Sequence, residues 1–169
     1  MPHSNTGPLP ECFDIAVILE FRATPDNRWQ KGCWRVAGVV AGNRQGAGSP
    51  GAQQLHAATE GQQYLWTGLQ VSLFRDEAES YYCNLVSDSP RVFIISSLQA
   101  GEPPRPSIAT LSYDEAASYM ETDALVESVD MPPELYRWTE QFVLQHYIPV
   151  KRKKRRRDNW KVTGHEPPG

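Results

Sequence analysis

The chain has 169 residues, of which 40% are hydrophobic and 22% charged, with a formal net charge of −3. That length suits one domain with a core of its own. The composition is too polar for membrane-spanning helices, and no run approaches the roughly 18 consecutive apolar residues such a span needs.

The charge is unevenly distributed. Residues 151–169 hold eight Lys or Arg and two acidic residues, a net of +6. The preceding 150 residues hold nine basic and eighteen acidic residues, a net of −9. An acidic body with a basic end bears on the charge of whatever the protein meets.

Residues 1–12 contain Pro and Gly and read as a flexible N-terminus. They lack the basic start and apolar stretch of an export signal, so a cytoplasmic location is expected. Residues 13–21 place Phe13, Ile15, Val17, Leu19 and Phe21 on one face of a half-buried strand. Residues 33–40 form a second, less cleanly alternating run that suits a strand covered on both faces. The polar stretch between them predicts a broad hairpin connection.

Residues 42–61 are rich in Gly and show no apolar period, which predicts a flexible insert in a loop. Residues 64–66 and 69–74 flank Thr67-Gly68, a candidate turn between two strands. Residues 75–80 are charged and suit a turn or a single helical turn. Residues 81–86 and 91–96 bracket Ser87-Asp-Ser-Pro90 in a hairpin pattern, the second member Ile- and Val-rich like an interior strand. Three prolines make residues 99–106 a loop. Residues 107–112 read as a further strand.

Ser112-x-x-Glu115 has the spacing of a capping box and starts a short helix. Residues 124–129 are extended. Asp130 and Pro132-Pro133 fit a helix start. Leu135, Trp138, Phe142 and His146, with Val143 beside them, form an apolar stripe on about 15 helical residues. The expected fold is therefore α+β: an antiparallel sheet of about seven strands, partly open barrel or sandwich-like, with two C-terminal helices and a basic tail. One domain spans residues 13–149 with an insert at 42–61, and residues 150–169 form a disordered tail.

No phosphate-binding loop or dinucleotide turn is present; Gly46-Ala-Gly-Ser-Pro-Gly51 follows neither pattern. The three cysteines, Cys12, Cys33 and Cys83, are odd in number and far apart, which fits reduced thiols. Neither they nor His56 and His146 have the local spacing of a metal clamp, and cysteines within strands are expected to be buried. No cofactor, metal ligand or catalytic residue is assigned. Asp76, Glu77 and Glu79 offer an acidic cluster for an unrecognised hydrolase or transferase, against the simpler reading of a solvated turn.

Arg28, Trp29, Trp34 and Arg35 supply the residue types enriched at interface centres. The competing reading has both indoles capping the open end of the sheet with an Arg stacked over one of them. Lys151, Arg152, Lys153, Lys154, Arg155, Arg156 and Arg157 form an unbroken basic run. It suits docking on an acidic protein surface or on the chain's own body, or binding of nucleic acid.

Several blocks resemble, in order, a bacterial family known only as a domain of unknown function. They are Ile18-Leu-Glu-x-Arg22, Arg28-Trp29, Trp34-x-x-x-Gly-Val-Val40, Arg75-Asp-Glu-x-Glu79, Tyr82-x-Asn-Leu85, Arg91-Val-Phe-Ile94, Tyr113-Asp-Glu-Ala-x-x-Tyr119, Asp130-Met-Pro-Pro133 and the basic run. The resemblance covers roughly residues 14–157. It implies association by gene neighbourhood with molybdenum-dependent formate dehydrogenases, as an accessory or maturation protein, and brings no catalytic residues. The insert at 42–61 departs from the compact loop of that family.

The expectation is thus a non-catalytic protein that binds a formate dehydrogenase subunit or another maturation factor. Arg28, Trp29, Trp34 and Arg35 would form the contact patch, and the basic run would steer an acidic partner. The alternative is a nucleic-acid binder that uses the tail.

Overall fold

The computed structural model describes residues 11–24, 28–29, 31–42, 51–58 (53–58 as backbone alone), 61–100 and 102–150. In chain order the strands and helices are β1 (Glu11–Ala23), β2 (Gly32–Ala41), β3 (Gly51–Ala58), β4 (Gly61–Leu73), α1 (Ala78–Leu85), β5 (Arg91–Ser97), β6 (Arg105–Thr110), α2 (Tyr113–Met120), β7 (Leu125–Asp130) and α3 (Pro133–His146). A single 3-10 turn, Arg75–Glu77, leads into α1.

The seven strands form one mostly antiparallel sheet in the order β2-β1-β4-β6-β5-β7, with β3 on β4 beside that path. The β4–β6 neighbours are parallel and meet at Val71 and Ala109. The sheet curls until β2 and β7 lie side by side, so it is a nearly closed barrel. With its three helices the fold is α+β.

β1 and β4 are the spine, antiparallel along their whole length from Glu11–Leu73 to Arg22–Gly61. A bulge interrupts that ladder, where Thr67 and Gly68 together face Ala16. Gly68 has a φ of 88°, a backbone conformation glycine adopts without a Cβ penalty. The extra residue shifts the alternation, so that Tyr64 and Trp66 before it and Leu69, Val71 and Leu73 after it all pack on the core. Thr67-Gly68 is therefore a bulge within one strand, not the turn its composition suggests. A second bulge at Ala37 does the same for β2, where Val36 pairs with Leu19 and Gly38 with Ile18.

Three further expectations are corrected. Residues 51–58 of the expected loop insert form β3, because pairing with β4 supplies the order that their own sequence lacks; residues 43–50 and 59–60 lie outside the described residues. Residues 81–85 are helical, not extended: Ala78, Tyr81 and Leu85 are buried at spacings of three and four, the face of a helix. Helices consequently alternate with strands after β4, three in number, and α3 alone follows the last strand. Finally, Asp130 ends β7 and pairs with Arg91, while Pro132 occupies the cap position of α3.

β5 is covered on both sides. Val92 and Ile94 face the main core, whereas Phe93 meets Tyr113 of α2 edge-on at 6.0 Å. α3 lays Leu135, Phe142 and Val143 on the core, and its buried Thr139 hydroxyl donates to the Leu135 carbonyl one turn back. Phe13 packs on Trp138 at 5.1 Å and Tyr81 on Phe142 at 6.1 Å, closing this end of the barrel. At the other end Trp34 sits between Phe21 and Tyr64.

Candidate functional site

An open cleft of about 720 Å³ lies beside α1. Its walls are α1, the start of β5 and the N-terminus of α2. Ser112 opens α2 by accepting a hydrogen bond from the Glu115 N–H, half of the expected capping box. The other half is replaced. Glu115 accepts from the Thr110 hydroxyl, and Thr110 in turn accepts from the Ser112 N–H. The Ser112 and Ser80 hydroxyls are 3.1 Å apart, so α2 and α1 are joined across the back of the cleft.

Asn84 fixes the geometry. Its amide accepts from the Arg91 N–H at 2.9 Å and donates to the Arg91 carbonyl at 2.8 Å and the Leu111 carbonyl at 2.9 Å. One side chain thus ties the end of α1 to β5 and to the segment after β6. Nothing in the strand-like run 81–86 marked Asn84 for this task, although it falls in one of the blocks that carry the family resemblance.

The lining is acidic and aromatic. Asp76, Glu77, Glu79 and Asp114 all face the cleft, with Phe93 and Tyr113 between its walls. The acidic triplet borders this open concavity, with Asp76 and Glu79 exposed as the simpler reading of a solvated turn expects. Glu77 accepts from the Tyr81 phenol at 3.2 Å, and the phenol oxygen itself accepts from the Phe74 N–H. Burial holds the Tyr81 phenol well above its ordinary range, so it serves as a neutral donor. Arg91 also lines the cleft and is paired with Asp130 at the end of β7.

Cys83 is exposed in this cleft, and Cys12 and Cys33 are exposed elsewhere. Both Cys33 and Cys83 were expected to be buried. Cys33 stands near the start of β2 opposite Arg22, and Cys83 lies on the open face of α1. Among the described residues, no group of three or more His, Cys, Asp and Glu side chains is arranged to hold a metal ion.

The Arg/Trp set does not form one patch. Arg28 and Trp29 lie on the β1–β2 connection, with Trp29 96% exposed. Trp34 is half-buried in the aromatic end of the core, as the competing reading held for this indole. Its neighbour Arg35 points to the opposite face of β2, as strand alternation requires, and holds Glu20 at 2.7 Å. That contact, with help from Arg22, keeps the Glu20 carboxyl below its ordinary value. Residues 151–157 lie outside the described residues.

A different carboxylate closes the barrel. Where β2 and β7 run side by side without a ladder, Glu127 accepts from the Val36 N–H with its two oxygens at 3.2 and 3.1 Å. Burial raises the Glu127 carboxyl above its ordinary value, against the opposing pull of that N–H.

A family model described as a protein of unknown function (DUF3305) matches residues 14–157. No curated protein and no solved structure matches the chain. No helix among the described residues is long and apolar enough to cross a membrane.

Proposed function

We propose that this chain, which belongs to the DUF3305 family, is a non-catalytic accessory or maturation protein that binds a partner protein in the cytoplasm. The partner is a subunit or maturation factor of a molybdenum-dependent formate dehydrogenase, the association that the sequence resemblance implies. The observation that carries the reading is Trp29, 96% exposed on the connection between β1 and β2, with Arg28 exposed beside it. Burying an indole against a partner contributes far more to association than to the stability of this domain.

The contact patch is narrower than the sequence suggested. Arg28 and Trp29 belong to it; Trp34 is occupied by the core and Arg35 by Glu20. The basic run steers the encounter with an acidic surface, and its effect is screened by salt.

Capture of the chain by an immobilised formate dehydrogenase catalytic subunit tests the reading. Trp29→Ala should weaken capture about tenfold or more, as expected for an interface anchor. Trp34→Ala should act through lost stability instead. Removing residues 151–169 should slow capture at about 0.05 M salt and leave it unchanged near 0.5 M. Capture that is indifferent to Trp29 would refute the contact assignment. Salt-sensitive gel shifts of DNA or RNA that depend on the tail would favour the nucleic-acid reading.

A further inference from the structure

The cleft beside α1 and the end of α3 are close neighbours. α3 runs antiparallel to α1: Tyr136 reaches the Leu85 carbonyl, Phe142 meets Tyr81, and Tyr147 stacks on Tyr82 at 4.6 Å. The chain therefore leaves α3 beside the N-terminal half of α1. Glu79 precedes Tyr82 by three residues, about 4.5 Å along the helix axis, and borders the cleft. Past Tyr147, Ile148 and Val150 are both more than 80% exposed, and the basic run begins at residue 151. Seven residues reach about 23–25 Å when extended, ample to cross the width of α1 and enter the cleft.

The chemistries also match. An extended segment of four Arg and three Lys needs carboxylates for its head groups and aromatic faces for its guanidinium planes. Asp76, Glu79 and Asp114 supply the first, and the exposed ring of Tyr113 the second. Among the described lining residues the one cation is Arg91, which pairs with Asp130.

We propose that this cleft is the seat of residues 151–157 of the same chain. A seated tail is withheld from acidic partners, so the cleft and any such partner compete for it. The inference does not depend on which partner the protein binds.

Zero-length carbodiimide cross-linking of the full chain tests this without any partner. An equal mixture of unlabelled and ¹⁵N-labelled protein separates links within a chain from links between chains. Lys151, Lys153 and Lys154 should join to Asp76, Glu79 and Asp114 within one chain. These links should outnumber those to Asp14, Glu20 and Glu102 about tenfold, since several exposed ion pairs of two- to fivefold each act together. They should collapse near 1 M salt. Asp76→Arg with Glu79→Arg should abolish the remaining links to Asp114 while the fold, followed by circular dichroism, is kept. If that double variant does not fold, Asp76→Asn with Glu79→Gln should still reduce the links to Asp114 severalfold. Links spread evenly over all exposed carboxylates would overturn the proposal. So would links found only between chains, which would make a second copy the occupant.

Discussion

Removing the Glu127 carboxylate tests how the open side of the barrel is held. β2 and β7 share no backbone ladder, and the two Glu127 oxygens receive the Val36 N–H in their place. In Glu127→Ala this partly buried donor loses its acceptor, which costs about 1–3 kcal/mol. For a domain of this size that lowers Tm by about 2–12 °C. Glu127→Gln keeps a carbonyl oxygen for Val36 and removes the charge, so it should stay within about 1 kcal/mol of the parent.

The pH dependence has a defined sign. Burial raises the Glu127 carboxyl above its unfolded value, so folding favours the protonated acid. Its contribution is full below the ordinary carboxylate range and is lost as pH rises through the raised value. The stability of the parent relative to Glu127→Gln should therefore fall with rising pH across that window and level off above it. Thermal melts over this range, with amide exchange at Val36 as the local probe, give both readings. If Glu127→Ala melts with the parent and the Val36 amide exchanges no faster, the seam is held by something else.

Two further substitutions probe the parts that position the sites. Asn84→Ala removes three hydrogen bonds that join α1 to β5 and to Leu111, and should cost about 2–4 kcal/mol in chemical denaturation. Asn84→Asp keeps the acceptor for the Arg91 N–H but neither donor, so it should recover the smaller part of that loss. Gly32 and Gly38, both in β2, should respond oppositely to alanine. A Cβ at Gly32 would lie 2.4 Å from the Arg22 carbonyl oxygen and 2.5 Å from the Phe21 ring, whereas one at Gly38 meets nothing within 4 Å. Gly32→Ala should cost about 1–3 kcal/mol and Gly38→Ala should lie within about 1 kcal/mol of the parent in the same measurement.

Elements whose burial follows their own period were legible in the sequence. β1 alternates cleanly, β5 is an apolar run because core and α2 cover its two faces, and α3 carries its stripe at helical spacing. What was hidden depended on partners distant in the chain. β3 has no pattern of its own and exists by pairing with β4. Thr67-Gly68 has turn composition, yet β1 runs straight past it and turns it into a bulge. α1 reads as a strand because Tyr81, Tyr82 and Val86 favour strands, but its burial follows Ala78, Tyr81 and Leu85.

The sites divide in the same way. The acidic triplet was visible, whereas the cleft beside it was not, since that needs α2 and β5 brought up by Asn84. The split between Trp34 and Arg35 was available in principle: adjacent residues in a strand face opposite ways, so one patch could not hold both.

The most direct test of the partner-binding account is affinity purification of the tagged chain from its native host at low salt, with formate dehydrogenase subunits followed by mass spectrometry. The account predicts that a formate dehydrogenase subunit or maturation factor co-purifies with the intact chain and is lost with Trp29→Ala. A chain recovered alone, or equal recovery of that protein by the intact and Trp29→Ala chains, would contradict it.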